Sequence, residues 1–149
     1  FTVGKPLFQA AAGGKPIVAF PYEKAFPGFM GIGLVASDST IAKNPSLVKR
    51  FTAALLKGLK WSIDNPGRAG AILNEAVPLQ NPKIAADELK IMKRFVQTPV
   101  TRTKGIGYVD PKRVASTISI VNNGFRPTGR VTVGDVYAPG FVPAPPAKK

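Results

Sequence analysis

Residues 44–66 read NPSLVKRFTAALLKGLKWSIDNP, a stretch that begins and ends with an Asn-Pro pair. Apolar residues recur every four positions from Leu47 to Leu59, with lysine and arginine between them. This spacing places the apolar side chains on one face of a helix. The stretch therefore predicts an amphipathic helix of about five turns that ends near Asp64.

An Asn or Asp followed directly by proline recurs along the chain, at Asn65-Pro66, Asn81-Pro82 and Asp110-Pro111. An Asn or Asp side chain accepts hydrogen bonds from the unpaired amides of a first helical turn, and proline lacks the amide that would be unpaired there. We therefore expect three further helices: one limited by Pro78, one from Pro82 to about Gln97, and one from Pro111 that ends at the Asn122-Asn123-Gly124 turn.

Three short apolar or β-branched runs are bounded by turn residues, at 16–20, 32–36 and 130–133. Such runs are typical of buried strands. Together with the four helices they predict an α/β fold. The end of the chain, 144–149, is a segment rich in proline and lysine that we expect to be extended and flexible.

The composition limits the chemistry. The chain has 149 residues with 44% apolar residues, which suits a folded domain, and it contains neither His nor Cys. A disulfide framework, a cysteine–histidine zinc site and a Ser-His-Asp triad are therefore excluded, and no metal, cofactor or catalytic residue is predicted. Position 1 is Phe, so we expect a processed or truncated chain from which a signal peptide has been removed.

Five segments in this order resemble the C-terminal half of bacterial extracytoplasmic solute-binding proteins. The subfamily concerned takes up nitrate, sulfonates, taurine and thiamine pyrimidines. The segments that carry the resemblance are GLVAS (33–37), IAKNPSLVKRF (41–51), LKGLKWSIDNP (56–66), GIGYVDPKR (105–113) and DVYAPGFVP (135–143).

The resemblance implies a two-lobed periplasmic-binding-protein fold of type II, of which this chain is the C-terminal portion. Residues 1–27 would finish the second lobe and the hinge. Residues 28–143 would supply the strand that returns to the first lobe and the helices that pack on it. A small anionic, aromatic or pyrimidine-like solute would be held between the lobes and delivered to the membrane permease of an ABC importer, without catalysis. The compartment implied is the periplasm, or the extracellular side with a membrane tether.

The candidate ligand contacts are Phe20, Tyr22, Glu23, Phe26 and Phe29. They lie in a connection between two predicted strands that is richer in aromatic residues than a solvated loop requires. Flat apolar rings beside a carboxylate and a hydroxyl suit a small polar aromatic solute. The alternative is that the two central phenylalanines are core residues and that Glu23 is a solvated charge.

Two other functions stay open. A formal charge of +13 is what a nucleic-acid-binding module carries, but the basic residues are spread over nearly every segment and form no single stripe. The resemblance also extends to thiamine-pyrimidine synthases. It implies that these enzymes need a histidine, which this chain lacks. Because a partial sheet would leave helix faces half covered, we expect the 149-residue chain to dimerise or swap segments, or to belong to a longer chain.

Overall fold

The structure is a computed structural model that describes residues 3–125 and 127–145, apart from the side chain of Glu23. The described residues form two compact units. The first unit takes them from 1–20, 54–106 and 145–149, and the second takes them from 21–53 and 107–144. Both units are thus built from pieces that are separated in the sequence.

The described part of the chain contains nine helices and no β-strand. In chain order the helices are α1 Lys5–Ala11, α2 Tyr22–Ala25, α3 Asp38–Lys43, α4 Pro45–Asp64, α5 Pro66–Ala76, α6 Pro82–Val96, α7 Pro99–Lys104, α8 Pro111–Phe125 and α9 Val133–Val136.

The four helices predicted from proline starts are confirmed as α4, α5, α6 and α8. The predicted end of α8 at the Asn122-Asn123-Gly124 turn is wrong. Helix α8 continues to Phe125, and Gly124 is not among the glycines with positive φ. The side-chain amide of Asn122 donates to the carbonyl oxygen of Val131 at 3.2 Å, which holds it in a tertiary contact rather than at a helix end.

The Asn and Asp side chains that precede the helix-starting prolines do not all cap the helix that follows them. The Asn81 carboxamide oxygen accepts from the amides of Lys83 and Ile84 at 2.9 and 3.2 Å, and the Asp110 carboxylate accepts from the Lys112 amide at 2.9 Å. Asn65 makes no such bond to the first turn of α5, and its side chain instead donates to the carbonyl oxygen of Trp61. Asn65 therefore satisfies the end of α4 rather than the start of α5.

The three predicted strands are wrong for this structure, whose described residues are rich in helix. Residues 16–20 and 32–36 lie outside any helix or strand, and most of their larger apolar side chains are exposed, Val18 by 74% and Val35 by 88%. A strand needs a neighbour for its backbone hydrogen bonds, and no described segment pairs with these residues. The third run enters helix α9, because Thr132 and Asp135 form a capping box.

The first unit is centred on the contact between α5 and α6. Gly70 of α5 lies so close to α6 that a Cβ atom there would stand 2.3 Å from the carbonyl oxygen of Pro82. Nearby, Ile63 is 1% exposed, and Ala85 and Ala86 are buried. Small residues on both helices thus permit a close approach, which bulkier side chains would prevent.

An ion-pair cluster joins α4 to α6 within this unit. The Asp64 carboxylate accepts from the ammonium groups of Lys60 at 2.6 Å and Lys93 at 2.9 Å, and from the side-chain amide of Gln97 at 3.2 Å. The hydrogen bonds from Lys60 and Lys93 hold the pKa of the Asp64 carboxyl well below its ordinary value. Asp64 is therefore charged in the folded chain over the whole physiological range.

The second unit is organised around α8, which packs against α9. Val114 of α8 and Thr52 of α4 are its buried residues. The Asp135 carboxylate accepts from both the hydroxyl and the amide of Thr132, and these two bonds lower the pKa of Asp135. The flexible tail predicted at 144–149 lies outside the described residues, except for its first two positions.

Candidate functional site

The five predicted contact residues do not all share one unit. Phe20 closes the first piece of the first unit and is 86% exposed. Tyr22, Phe26 and Phe29 belong to the second unit. The backbone of Glu23 lies in α2 of that unit, but its side chain is outside the description.

The aromatic segment, residues 20–29, has a backbone that is folded by two local hydrogen bonds. The amide of Phe26 donates to the carbonyl oxygen of Tyr22 at 2.7 Å and closes the single turn of α2. The amide of Phe29 then donates to the carbonyl oxygen of Phe26 at 3.1 Å. Gly28 lies inside this second turn at φ +95°, a conformation that glycine adopts without a steric cost. The segment is thus a short helix followed by a tight turn.

The end of the segment is anchored on α8. The Thr117 hydroxyl oxygen accepts from the amide of Met30 at 2.9 Å, and a guanidinium nitrogen of Arg113 donates to the carbonyl oxygen of Phe29 at 3.2 Å. A Cβ atom at Gly28 would lie 3.6 Å from Ser116, so this turn lies directly against α8. Gly28 and Phe29 at the end of the segment, and Met30 directly after it, are therefore held by one helix.

The aromatic side chains stay accessible although their backbone is fixed. Tyr22 is 72% exposed, Phe26 43% and Phe29 41%. The alternative interpretation, in which Phe26 and Phe29 are core residues, is therefore not supported in this unit. Exposed rings on a fixed backbone can stack on a planar solute with little loss of conformational freedom.

Arg113 and Thr117 are not among the residues predicted from the sequence. One signal was present: Lys112 and Arg113 are cations in the first turn of a helix, where the positive end of the helix dipole disfavours them. Such a placement indicates that a cation has a separate role. Thr117 carried no signal, because its contact with Met30 joins residues that are 87 positions apart.

Other kinds of site find little support in residues 3–125 and 127–145. No cluster of three or more acidic, His or Cys side chains there could hold a metal ion. No helix in this part of the chain is long and apolar enough to cross a membrane.

Comparison with known proteins gives two matches. Residues 3–69 match the family model described as NMT1/THI5 like. The chain is also 28% identical over 114 residues to the riboflavin-binding protein RibY of Chloroflexus aurantiacus, a match that covers 74% of this chain and 32% of the relative. The chain thus spans about a third of the length of that curated relative. No solved structure matches the chain significantly.

These two matches support a solute-binding role for the chain. The family match contains the whole aromatic segment from Phe20 to Phe29. It does not reach α8, which supplies Thr117 and Arg113, whereas the more extended match to RibY covers about three-quarters of the chain.

Proposed function

We propose that this chain is part of an extracytoplasmic solute-binding component of an ABC-type importer. It would capture a small planar solute and present it to the membrane permease subunits. The proposal rests on one observation: Tyr22, Phe26 and Phe29 are exposed on a backbone that is fixed to α8, within the residues that match a family with solute-binding members.

The surroundings of the rings favour an aromatic solute with polar groups at its edge. Three accessible rings offer stacking area, and the Tyr22 hydroxyl offers one hydrogen bond. The Arg113 guanidinium, which is already bonded to the Phe29 carbonyl, keeps further N–H donors for a carbonyl or anionic oxygen. The name of the relative RibY adds riboflavin as the first solute to test. A pyrimidine, nitrate and taurine are the other candidates.

The test is a titration of the 149-residue chain with each of the four compounds by calorimetry. For riboflavin, quenching of flavin fluorescence provides a second readout, because stacking on an aromatic ring quenches it. We expect the two ring compounds to bind and the two ions to bind at least about tenfold more weakly, a difference of about 1.4 kcal/mol. If none of the four compounds binds, the proposal is wrong.

A pair of tyrosine variants locates the contact. We expect Tyr22→Leu to weaken binding of the ring compound about two- to tenfold, since one lost stacking contact is worth about 0.5–1.5 kcal/mol. Tyr108→Leu is the matched control, because Tyr108 is also partly exposed in the second unit but lies outside the aromatic segment. Equal weakening by both variants would remove the aromatic segment from the proposed site.

A further inference from the structure

A partly open cavity lies wholly within the first unit, between α5 and α6. Its volume is about 420 Å³. Its wall is mainly apolar, with Ile72 and Leu73 from α5 and Leu89 and Met92 from α6, and the polar residues that line it are Glu88 and Ser62. The volume falls in the range of small-molecule sites, about 300–1,000 Å³, and a mainly apolar wall with few polar groups is typical of them.

Glu88 distinguishes this cavity from a simple packing defect. Within the described residues its carboxylate has no ion pair and no hydrogen bond, although the side chain is only partly exposed. The neighbouring acids behave differently, since Asp87 binds Lys83 and Lys90, and Asp64 binds Lys60 and Lys93. Other described acids, such as Glu75, also have no ion pair. Glu88 differs from them because it lines a mainly apolar cavity.

The arrangement has a direct chemical consequence. A carboxylate beside apolar surface loses part of its hydration, and a bound cation restores the lost interaction. The apolar wall would at the same time cover the hydrophobic body of the same ligand. We infer that the cavity between α5 and α6 binds a small organic cation, an amine with an aromatic or branched body, with Glu88 as its counter-ion.

The positive net charge of the chain does not prevent a cation from binding next to Glu88. Charges farther away than about 8 Å are largely screened at physiological ionic strength, whereas a bound ammonium group would touch Glu88. No lysine or arginine of the described residues lines the cavity, and Lys60 and Lys93 share the Asp64 carboxylate. The charge that faces the ligand is therefore that of Glu88.

The test uses three ligands with similar bodies and different charges: phenethylammonium, phenethyl alcohol and phenylpropionate. Their binding to the full chain is followed by NMR of labelled methionine methyl groups. The chain has two methionines, of which Met92 lines the cavity and Met30 does not. We expect phenethylammonium to shift the Met92 signal, to leave the Met30 signal unchanged, and to bind about tenfold more tightly than the alcohol.

Two variants with the same change of charge complete the test. Glu88→Gln keeps the shape of the side chain, and we expect it to reduce the affinity for phenethylammonium to that for the alcohol. Glu75→Gln is the matched control on α5, because Glu75 is exposed and does not line the cavity, and it should retain wild-type affinity. The proposal fails if Met92 does not respond to the cation, if the cation and alcohol bind equally, or if the two variants have equal effects.

This inference does not depend on the proposed function. No described residue of the aromatic segment lines the cavity. Weaker riboflavin binding in Tyr22→Leu and weaker amine binding in Glu88→Gln are therefore separate results, and either can fail without the other.

Discussion

The substitution Gly70→Ala tests how closely α5 and α6 pack. An added Cβ would lie 2.3 Å from the carbonyl oxygen of Pro82 and 3.3 Å from the amide nitrogen of Ala86, whereas real Cβ atoms do not come closer than about 3.0 Å. The two helices must therefore separate by at least about 0.7 Å at this point. The opposing atoms belong to the backbone, so no side-chain rotation can relieve the contact.

The expected change in the free energy of unfolding for Gly70→Ala is the difference between two effects. Overpacking of this kind costs about 1–3 kcal/mol, and a backbone obstacle places Gly70→Ala toward the upper end. Replacing a helical glycine with alanine stabilises the helix by about 1 kcal/mol, because alanine has the higher helix propensity. We expect a net loss of about 2 kcal/mol, or a fall in melting temperature of about 4–8 °C for a chain of this size.

Gly58→Ala provides the matched control. Gly58 lies inside α4, and no atom lies within 4 Å of the position of its added Cβ. The same chemical change should therefore raise stability by up to about 1 kcal/mol. Urea unfolding followed by far-UV circular dichroism measures both variants. If Gly70→Ala is as stable as the wild type while Gly58→Ala behaves as expected, the close contact between α5 and α6 is wrong.

Three further predictions concern individual hydrogen bonds. Asn81→Ala should cost about 1 kcal/mol in thermal unfolding, because it removes the cap of α6, and an unchanged melting temperature would show that the cap does not contribute. Thr117→Val leaves the Met30 amide without its acceptor, and we expect a loss of about 1 kcal/mol together with faster hydrogen exchange at that amide; unchanged exchange would contradict the anchor. Lys60 and Lys93 lower the pKa of Asp64, so its stabilising contribution is present above the ordinary value of 3.8 and is lost as the pH falls below it. Asp64→Asn should therefore weaken the acid dependence of unfolding below about pH 4, and an identical acid profile would contradict the ion-pair cluster.

The sequence predicted four of the helices whose starts carry a local signal. Four proline starts gave α4, α5, α6 and α8, and the same signal at Thr98-Pro99 marked α7 but was passed over. The Thr132 and Asp135 pair likewise marked the start of α9, where β-branched composition suggested a strand. Capping can be recognised from neighbouring residues, because the donor and acceptor are two or three positions apart.

The absence of strands from residues 3–125 and 127–145, and the anchor of the aromatic segment, could not be predicted in this way. A strand is defined by its hydrogen-bonded neighbour, and composition alone does not identify that neighbour. The same limit applies to the candidate site. Aromatic composition indicated Tyr22, Phe26 and Phe29, but the contact from Arg113 to the Phe29 carbonyl spans 84 positions and has no local signature.

The successful prediction of capped helices and the failed prediction of strands and distant contacts share a physical cause, which is the small size of the buried core. Within the described residues, only Ile63 among the larger side chains is less than 2% exposed, while Leu47, Phe51 and Leu55 on the apolar face of α4 remain about half exposed. Tertiary burial therefore contributes less to this chain than is usual for helices in a globular domain. Caps, helix propensity and ion pairs such as Lys60–Asp64 carry a correspondingly larger share of the stability. Where local interactions dominate, the sequence predicts the element, and where a distant surface is needed, as for the runs at 16–20 and 32–36, it does not.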